Sequence, residues 1–413
     1  MIEKYYSGVI EQIYNRIGKE TRNIVMANYS NDFSIEKLEV IRRYQSNEDN
    51  VFFAYSEFSY NTLVGAYEPF LDIICNMHRR FIGGSFDDFQ KECGVYYLHR
   101  QVLNSYYETG ECFREETVLL NEVAYEQRRM TMAIVDMLKR LSEVRPLMIV
   151  INRFQMASKS SIETIKYLID NPCTNIGIVL GVNAMVRGTD STVEEWDRIV
   201  ESLEDRSAIY YIGSAGQLKN NIRDTSDDEL YITTNFEQSI QEASNIMEFL
   251  DYEQARRGCR IIEHKIKFED AWIDEKSLRR FYLVYARTSV LLGEMSKAIE
   301  LMNEYKALIP ENDSEHYFSL YYFMKGTCYM YQGKLEKAEG CAKKAYDYAL
   351  LADDELLEFR SELLSVMIKM SGWYNIFFCV QDIPVSDEFI EKLIKHGYRN
   401  HLAHIYIYAY DNS

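Results

Sequence analysis

Residues 146–183 read PLMIVINRFQMASKSSIETIKYLIDNPCTNIGIVLGVN. Leu147 to Ile151 is a continuous apolar run, rich in branched residues and bounded by Pro146 and the polar pair Asn152–Arg153. It is too short for a helix, so it suits a strand covered on both faces. The next segment repeats Ile162, Ile165, Leu168 and Ile169 at helical spacing, with Ser158, Ser160 or Ser161 as N-cap and Asn171–Pro172 as its end. A second apolar run, Ile176 to Val182, follows. Two buried strands joined by one helix make a right-handed crossover unit, which belongs to a parallel, helix-covered sheet.

Working outward, the same pattern recurs toward the N-terminus. Residues 2–18 form an amphipathic helix with Val9, Ile10, Ile13, Tyr14 and Ile17 on one face, ended by Gly18. Asn23 to Ala27 and Val51 to Ser56 read as strands, and Ser34 to Tyr44 as the helix between them. Tyr60 to Phe70 opens a helix with Pro69 in its first turn, while Gly83–Gly84 lies between helices and marks a turn. Two long helices, 86–108 and 114–143, lead to the central stretch, and their scattered charges read as solvated faces. Beyond it come a helix over 192–205 with Trp196 and a short strand over 208–212.

The polar stretch 214–235, with DTSDDE at its centre, reads as a linker. From 236 to 413 the chain is helical and repetitive. LLGEMSKAIELMNEY (291–305) matches YQGKLEKAEGCAKKAY (331–346), placing Gly293 and Gly333, and Ala298 and Ala338, 40 residues apart. Weaker copies stand at 249–257 and 371–378. Small residues at fixed positions let paired helices approach closely, which is the logic of tetratricopeptide-like stacks. The aromatic run 314–326 belongs to interhelical packing or to the inner face of such a stack. Among His396, His401 and His404, i and i+3 spacing puts two imidazoles on one helical face, but no acid or cysteine stands at zinc-ligand spacing, so no metal is expected.

In their order, these segments resemble the STAND branch of AAA-type ATPases, in particular large regulators that join such a domain to tetratricopeptide-like repeats and often to a LuxR-type DNA-binding tail. The resemblance implies a P-loop-NTPase-like parallel sheet covered by helices, followed by an all-α solenoid. It also implies where the chemistry would sit. On the pattern G-x-x-x-x-G-K-[ST], Ala27 takes the first glycine position, Asp32 the second, Phe33 the lysine position and Ser34 the hydroxyl position. Asn152 and Arg153 stand where the family carries the acidic pair that holds magnesium, and Asn183 where a polar residue faces the γ-phosphate, with Arg187 nearby. Neither Asn152 nor Arg153 is a hard anionic ligand. The resemblance therefore implies the fold without the hydrolysis: no catalytic residue and no bound ATP or magnesium.

Composition bounds the rest. With 46 basic against 64 acidic side chains the net charge is −18, which repels polyanions and argues against direct nucleic-acid binding. Eight cysteines without a CxxC pair read as reduced residues of a cytoplasmic protein, and no signal peptide or apolar span is evident. The expected domains are a lead helix (1–20), a degenerate ATPase-like domain (21–213), a linker (214–235) and helical repeats (236–413). The expected function is a non-catalytic regulatory scaffold that binds a protein partner through its repeats and can self-associate, without membrane contact. The alternatives are a nucleotide-binding STAND-type switch and a truncated LuxR-type regulator, since the chain ends at Ser413 without a basic DNA-binding module.

Overall fold

A computed structural model describes residues 2–30, 38–46, 50–59, 63–114, 118, 120–183, 193–212, 235–268, 273–312, 314–374 and 385–411. It contains a parallel β-sheet flanked by helices, followed by a long helical region. The chain forms two compact units, residues 1–113 with 124–265, and residues 114–123 with 266–413.

The first unit holds β1 (Ile24–Tyr29), β2 (Phe52–Glu57), β3 (Leu147–Asn152), β4 (Ile176–Asn183) and β5 (Ile209–Ile212) in the order β2-β3-β4-β1-β5, every pairing parallel. β3 and β4 are buried at every position, as a strand covered on both faces requires. One face packs on α1 (Ile2–Arg16) and α2 (Glu39–Ser46) through Val25, Ala27, Tyr29, Phe53, Met148, Val150 and Val179. Two glycines of β4 admit α1. A Cβ on Gly177 would stand 2.9 Å from Ile17, and one on Gly181 2.4 Å from the Tyr6 hydroxyl.

Several expected boundaries move. β1 runs through Asn28 and Tyr29, while Asn23 lies outside it and bridges the carbonyls of Glu20 and Thr174 with its side-chain amide. α2 starts at Glu39, after the non-helical Leu38; residues 34–37 of the helix expected over Ser34 to Tyr44 lie outside the described residues. The helix expected from Tyr60 begins only at Phe70 (α3, Phe70–Met77), since residues 66–69 form a turn with Tyr67 at φ 57°, and Pro69 precedes the helix. The helix expected over 86–108 breaks into α4 (Phe86–Glu92) and α5 (Tyr97–Thr109) at Gly94, whose φ of 70° suits glycine. The following helix is α6 (Val123–Val144). Next come α7 (Lys159–Asp170), capped by Ser158, whose hydroxyl accepts from the Ser161 amide, and α8 (Val193–Glu204).

A larger displacement concerns α9 (Phe236–Glu248) and α10 (Tyr252–Phe268). The sequence reading placed residues 236–265 among the repeats; they pack with the sheet. Gln254 donates to the Val64 carbonyl at 3.0 Å, Gln127 to the Leu250 carbonyl at 2.6 Å, and the Cys112 amide to Asn245 at 2.9 Å.

The second unit stacks α11 (Glu275–Leu291), α12 (Met295–Ala307), α13 (Glu315–Tyr331), α14 (Leu335–Leu351), α15 (Glu355–Tyr374), α16 (Asp387–Lys395) and α17 (Arg399–Asp411). Its two clear repeats share one turn. Gly293 (φ 78°) and Gly333 (φ 70°) each bond back three residues, and the next amide, of Glu294 or Lys334, bonds back five. Ala298 and Ala338 are then fully buried where the second helix of each pair crosses the first. Of the copy at 371–378, residues 371–374 continue α15 and 375–378 lie outside the described residues.

Among the described residues, no helix is long and apolar enough to cross a membrane.

Candidate functional site

In an open parallel sheet, ligands bind beyond the carboxyl ends of the strands. Here that edge brings together the ends of β2, β3, β4 and β1. Glu57 lies opposite Asn152, and Tyr29 opposite Asn183. Asn152 and Asn183 thus sit at strand ends as the sequence placed them. Ala27 does not reach the loop; it is a buried ladder position paired with Gly181 and Tyr210. Asp32, Phe33, Ser34 and Arg187 lie outside the described residues.

The Asn152 side chain is fully buried, and its Oδ1 accepts a hydrogen bond of 2.6 Å from the Tyr29 hydroxyl. Tyr6, from α1, stands edge-on to Tyr29 with ring centroids 6.3 Å apart. Its hydroxyl covers the spot that a side chain at position 181 would fill. Burial, and after it the neighbouring Tyr55 and Glu57, hold the Tyr6 phenol far above its usual pKa, so it stays neutral. Two phenols from α1 and β1 therefore pack against Asn152 and Gly181, near the ends of β3 and β4, on the face that α1 covers.

Arg153 takes a left-handed conformation (φ 54°), and its guanidinium pairs with Glu57 at 3.2 Å. The other Glu57 oxygen accepts from the Tyr55 hydroxyl. The Asn183 backbone N–H donates to Gln155 Oε1 at 3.4 Å. Among the described residues, both side-chain atoms of buried Asn28, the amide nitrogen of Asn152 and that of Gln155 have no hydrogen-bond partner. Each such group costs about 1–3 kcal/mol. Among the described residues the strand ends present neutral amides and phenols, and the carboxylate there, Glu57, is held by Arg153.

A second polar cluster gathers at the N-terminus of α7. Asp251, buried at the start of α10, accepts from the Ser160 hydroxyl at 2.7 Å and from the Ser160 amide at 3.1 Å. The Ser160 hydroxyl in turn accepts from the Tyr67 amide at 2.9 Å, and Ser161 donates to the Glu68 carbonyl at 2.7 Å. Burial raises the Asp251 pKa, against the pull of the Ser160 hydrogen bonds. A carboxylate at a helix N-terminus is electrostatically favoured, so this cluster fastens α10 to the sheet unit.

Elsewhere, buried His99 and Glu126 lie 3.0 Å apart, with Arg129 3.1 Å from the same carboxylate. His396 stacks on Phe359 at 4.6 Å, and His401 packs against Tyr398. No group of three or more potential metal ligands occurs among the described residues. A cavity of about 20 Å³ lined by Arg22, Ile24, Leu168, Pro172 and Arg206 lies by the amino end of β1, room for about one water.

Sequence reasoning missed Tyr6, Tyr29, Glu57, Gln155 and Asp251. The pair Gly177 and Gly181, spaced four apart on one face of a buried strand, was the available sign that another element approaches there. Compared with models of known families, with curated proteins and with solved structures, the chain matches none.

Proposed function

We propose that this protein is a non-catalytic regulatory scaffold, in which a pseudo-ATPase domain of STAND type is joined to protein-binding, tetratricopeptide-like repeats. The observation that carries the reading is the end of β3. Asn152 Oδ1 is engaged by Tyr29, and Arg153 is engaged by Glu57. Magnesium needs hard, anionic oxygen ligands, and the transferred phosphate needs fixed positive charge. Among the described residues neither need is met: an amide and a guanidinium stand where the metal's carboxylates would be, the amide is bound by the Tyr29 phenol, and the Glu57 carboxylate is paired with Arg153. The fold is compatible with the resemblance, since β3, β4 and β1 are neighbours and their carboxyl ends form one edge. The regular turns of Gly293 and Gly333 support the repeat reading.

Phosphate release from ATP and magnesium tests this. The expected result is no turnover above a protein-free control. Turnover that is lost in Ser34→Ala and in Asn183→Ala would instead favour the nucleotide switch.

A further inference from the structure

The helical repeats carry an unusual arrangement of lysines. Lys306 of α12 lies over the ring of Tyr321, 5.5 Å from its centroid. Lys325 of α13 lies 5.1 Å from the same ring and 5.9 Å from that of Tyr329, and donates to the Tyr321 hydroxyl at 3.0 Å. Lys337 of α14 lies 5.9 Å from the Tyr329 ring. The result is an alternating strip, Lys306–Tyr321–Lys325–Tyr329–Lys337, that crosses three consecutive helices. Lys344 repeats the motif over Tyr322 at 5.1 Å.

In a chain with 64 acids against 46 bases, lysines ordinarily find carboxylates. Among the described residues these four make no ion pair, although Glu304 and Glu336 stand within two positions of Lys306 and Lys337. A ring face orients an ammonium while using little of its hydrogen-bonding capacity, leaving donors for a second partner. Lys306 and Lys337 are exposed, Lys325 and Tyr329 are half-buried and the Tyr321 ring is buried, so the part of the strip reachable from solvent is the three lysines and Tyr329.

We infer that this strip is a docking surface for an extended acidic peptide segment of a protein partner. The inference rests on reading the repeats as protein-binding and specifies the partner's chemistry. Tyr321 and Tyr329 are eight residues apart, about 12 Å along the helix. That length takes about four residues of extended chain, enough for two or three carboxylates. The half-buried Tyr329 ring would pack on an apolar side chain of the peptide, and the buried Tyr321 ring would hold Lys306 and Lys325 in place to meet its acids. Phosphates and bases would suit lysines and tyrosines too, but a polynucleotide must also approach a molecule of net charge −18. A short peptide meets chiefly the local field within about 8–10 Å.

Fluorescence anisotropy on the full chain tests this with three labelled probes: a short peptide alternating glutamate and valine, its glutamine counterpart, and a single-stranded DNA of similar length. The glutamate peptide is expected to bind about tenfold more tightly than the glutamine peptide at low salt, and less tightly as salt rises. Lys325→Met and the double change Lys306→Met with Lys337→Met should each remove most of that preference. Lys343→Met, on the same helix but over no ring, should not, and unfolding midpoints check that each variant is folded. Equal binding of both peptides, weakened by Tyr329→Ala, would overturn the acidic partner while leaving a protein-binding surface. Tighter binding of DNA, or of neither peptide, would overturn the proposal; the last result would also remove support from the scaffold reading.

Discussion

Replacing Gly181 by alanine probes the packing of α1 beside the strand-end site. In a strand with ordinary backbone angles, glycine to alanine should stabilise by about 0.4–1 kcal/mol, because it restricts the unfolded chain. The packing predicts the opposite sign. The new Cβ would stand 2.4 Å from the Tyr6 hydroxyl and 2.8 Å from Asn152 Oδ1, and Asn152 is itself held by Tyr29. Overpacking of this kind costs about 1–3 kcal/mol. In a unit of this size that lowers the melting temperature by about 2–4 °C per kcal/mol. Gly8→Ala, on the exposed side of α1 with nothing within 4 Å, serves as the control and should stabilise by about 1 kcal/mol. Urea unfolding of Gly181→Ala, Tyr6→Leu and the double variant forms a cycle, in which the alanine should cost at least about 0.5 kcal/mol less once Tyr6 is shortened. A stabilising Gly181→Ala, or an equal cost in both backgrounds, would refute the account of α1 packed against Gly181.

The Asp251 latch predicts a contrast: Asp251→Asn keeps an acceptor for Ser160 and should be neutral or stabilising in urea melts, whereas Asp251→Ala should cost about 1–3 kcal/mol by leaving the Ser160 hydroxyl and amide unpaired. Because burial raises the Asp251 pKa, wild-type stability should fall as pH rises from its ordinary value of 3.8 through the raised one, and Asp251→Asn should flatten that slope. His78, buried among Phe86, Phe89 and Tyr107, has its pKa lowered by burial and then by Arg79. Its folded state binds the proton less readily than the unfolded chain, so stability should be complete above pH 6.5 and fall below it; thermal melts of His78→Gln should lose that part of the pH dependence. Asn28, buried with both side-chain atoms unpaired, should gain stability on replacement by valine, and a loss in chemical denaturation would show that its amide has a partner.

The crossover unit was legible because two runs of branched apolar residues flank one amphipathic period, and that pattern has few structural solutions. Asn152 and Asn183 were found for the same reason, since a strand's end is where its apolar run stops. Ala27 was misplaced because Asn28 and Tyr29 read as loop, although tyrosine buries a large ring and asks only for one hydrogen bond, here to Asn152. The split between α4 and α5 hid in a single glycine inside an otherwise helical pattern. Helical period says which face is apolar but not what covers it, so α9 and α10 read like the repeats that follow them. The pairing of Arg153 with Glu57 joins residues 96 positions apart, and that of Ser160 with Asp251 joins residues 91 apart. Neither leaves any local mark in the sequence.

The most direct test of the central claim is a calorimetric and thermal-melt titration with ATP and ADP, with and without magnesium. A ligand at a hundredfold excess over its dissociation constant stabilises by about 2.7 kcal/mol, a readily measured shift. A strand end whose Asn152 is held by Tyr29 and whose Glu57 is held by Arg153 predicts no shift and no heat at millimolar nucleotide. A clear shift that is lost on changing Ser34 or Asn183 would contradict it, and would make the first unit a nucleotide-binding switch.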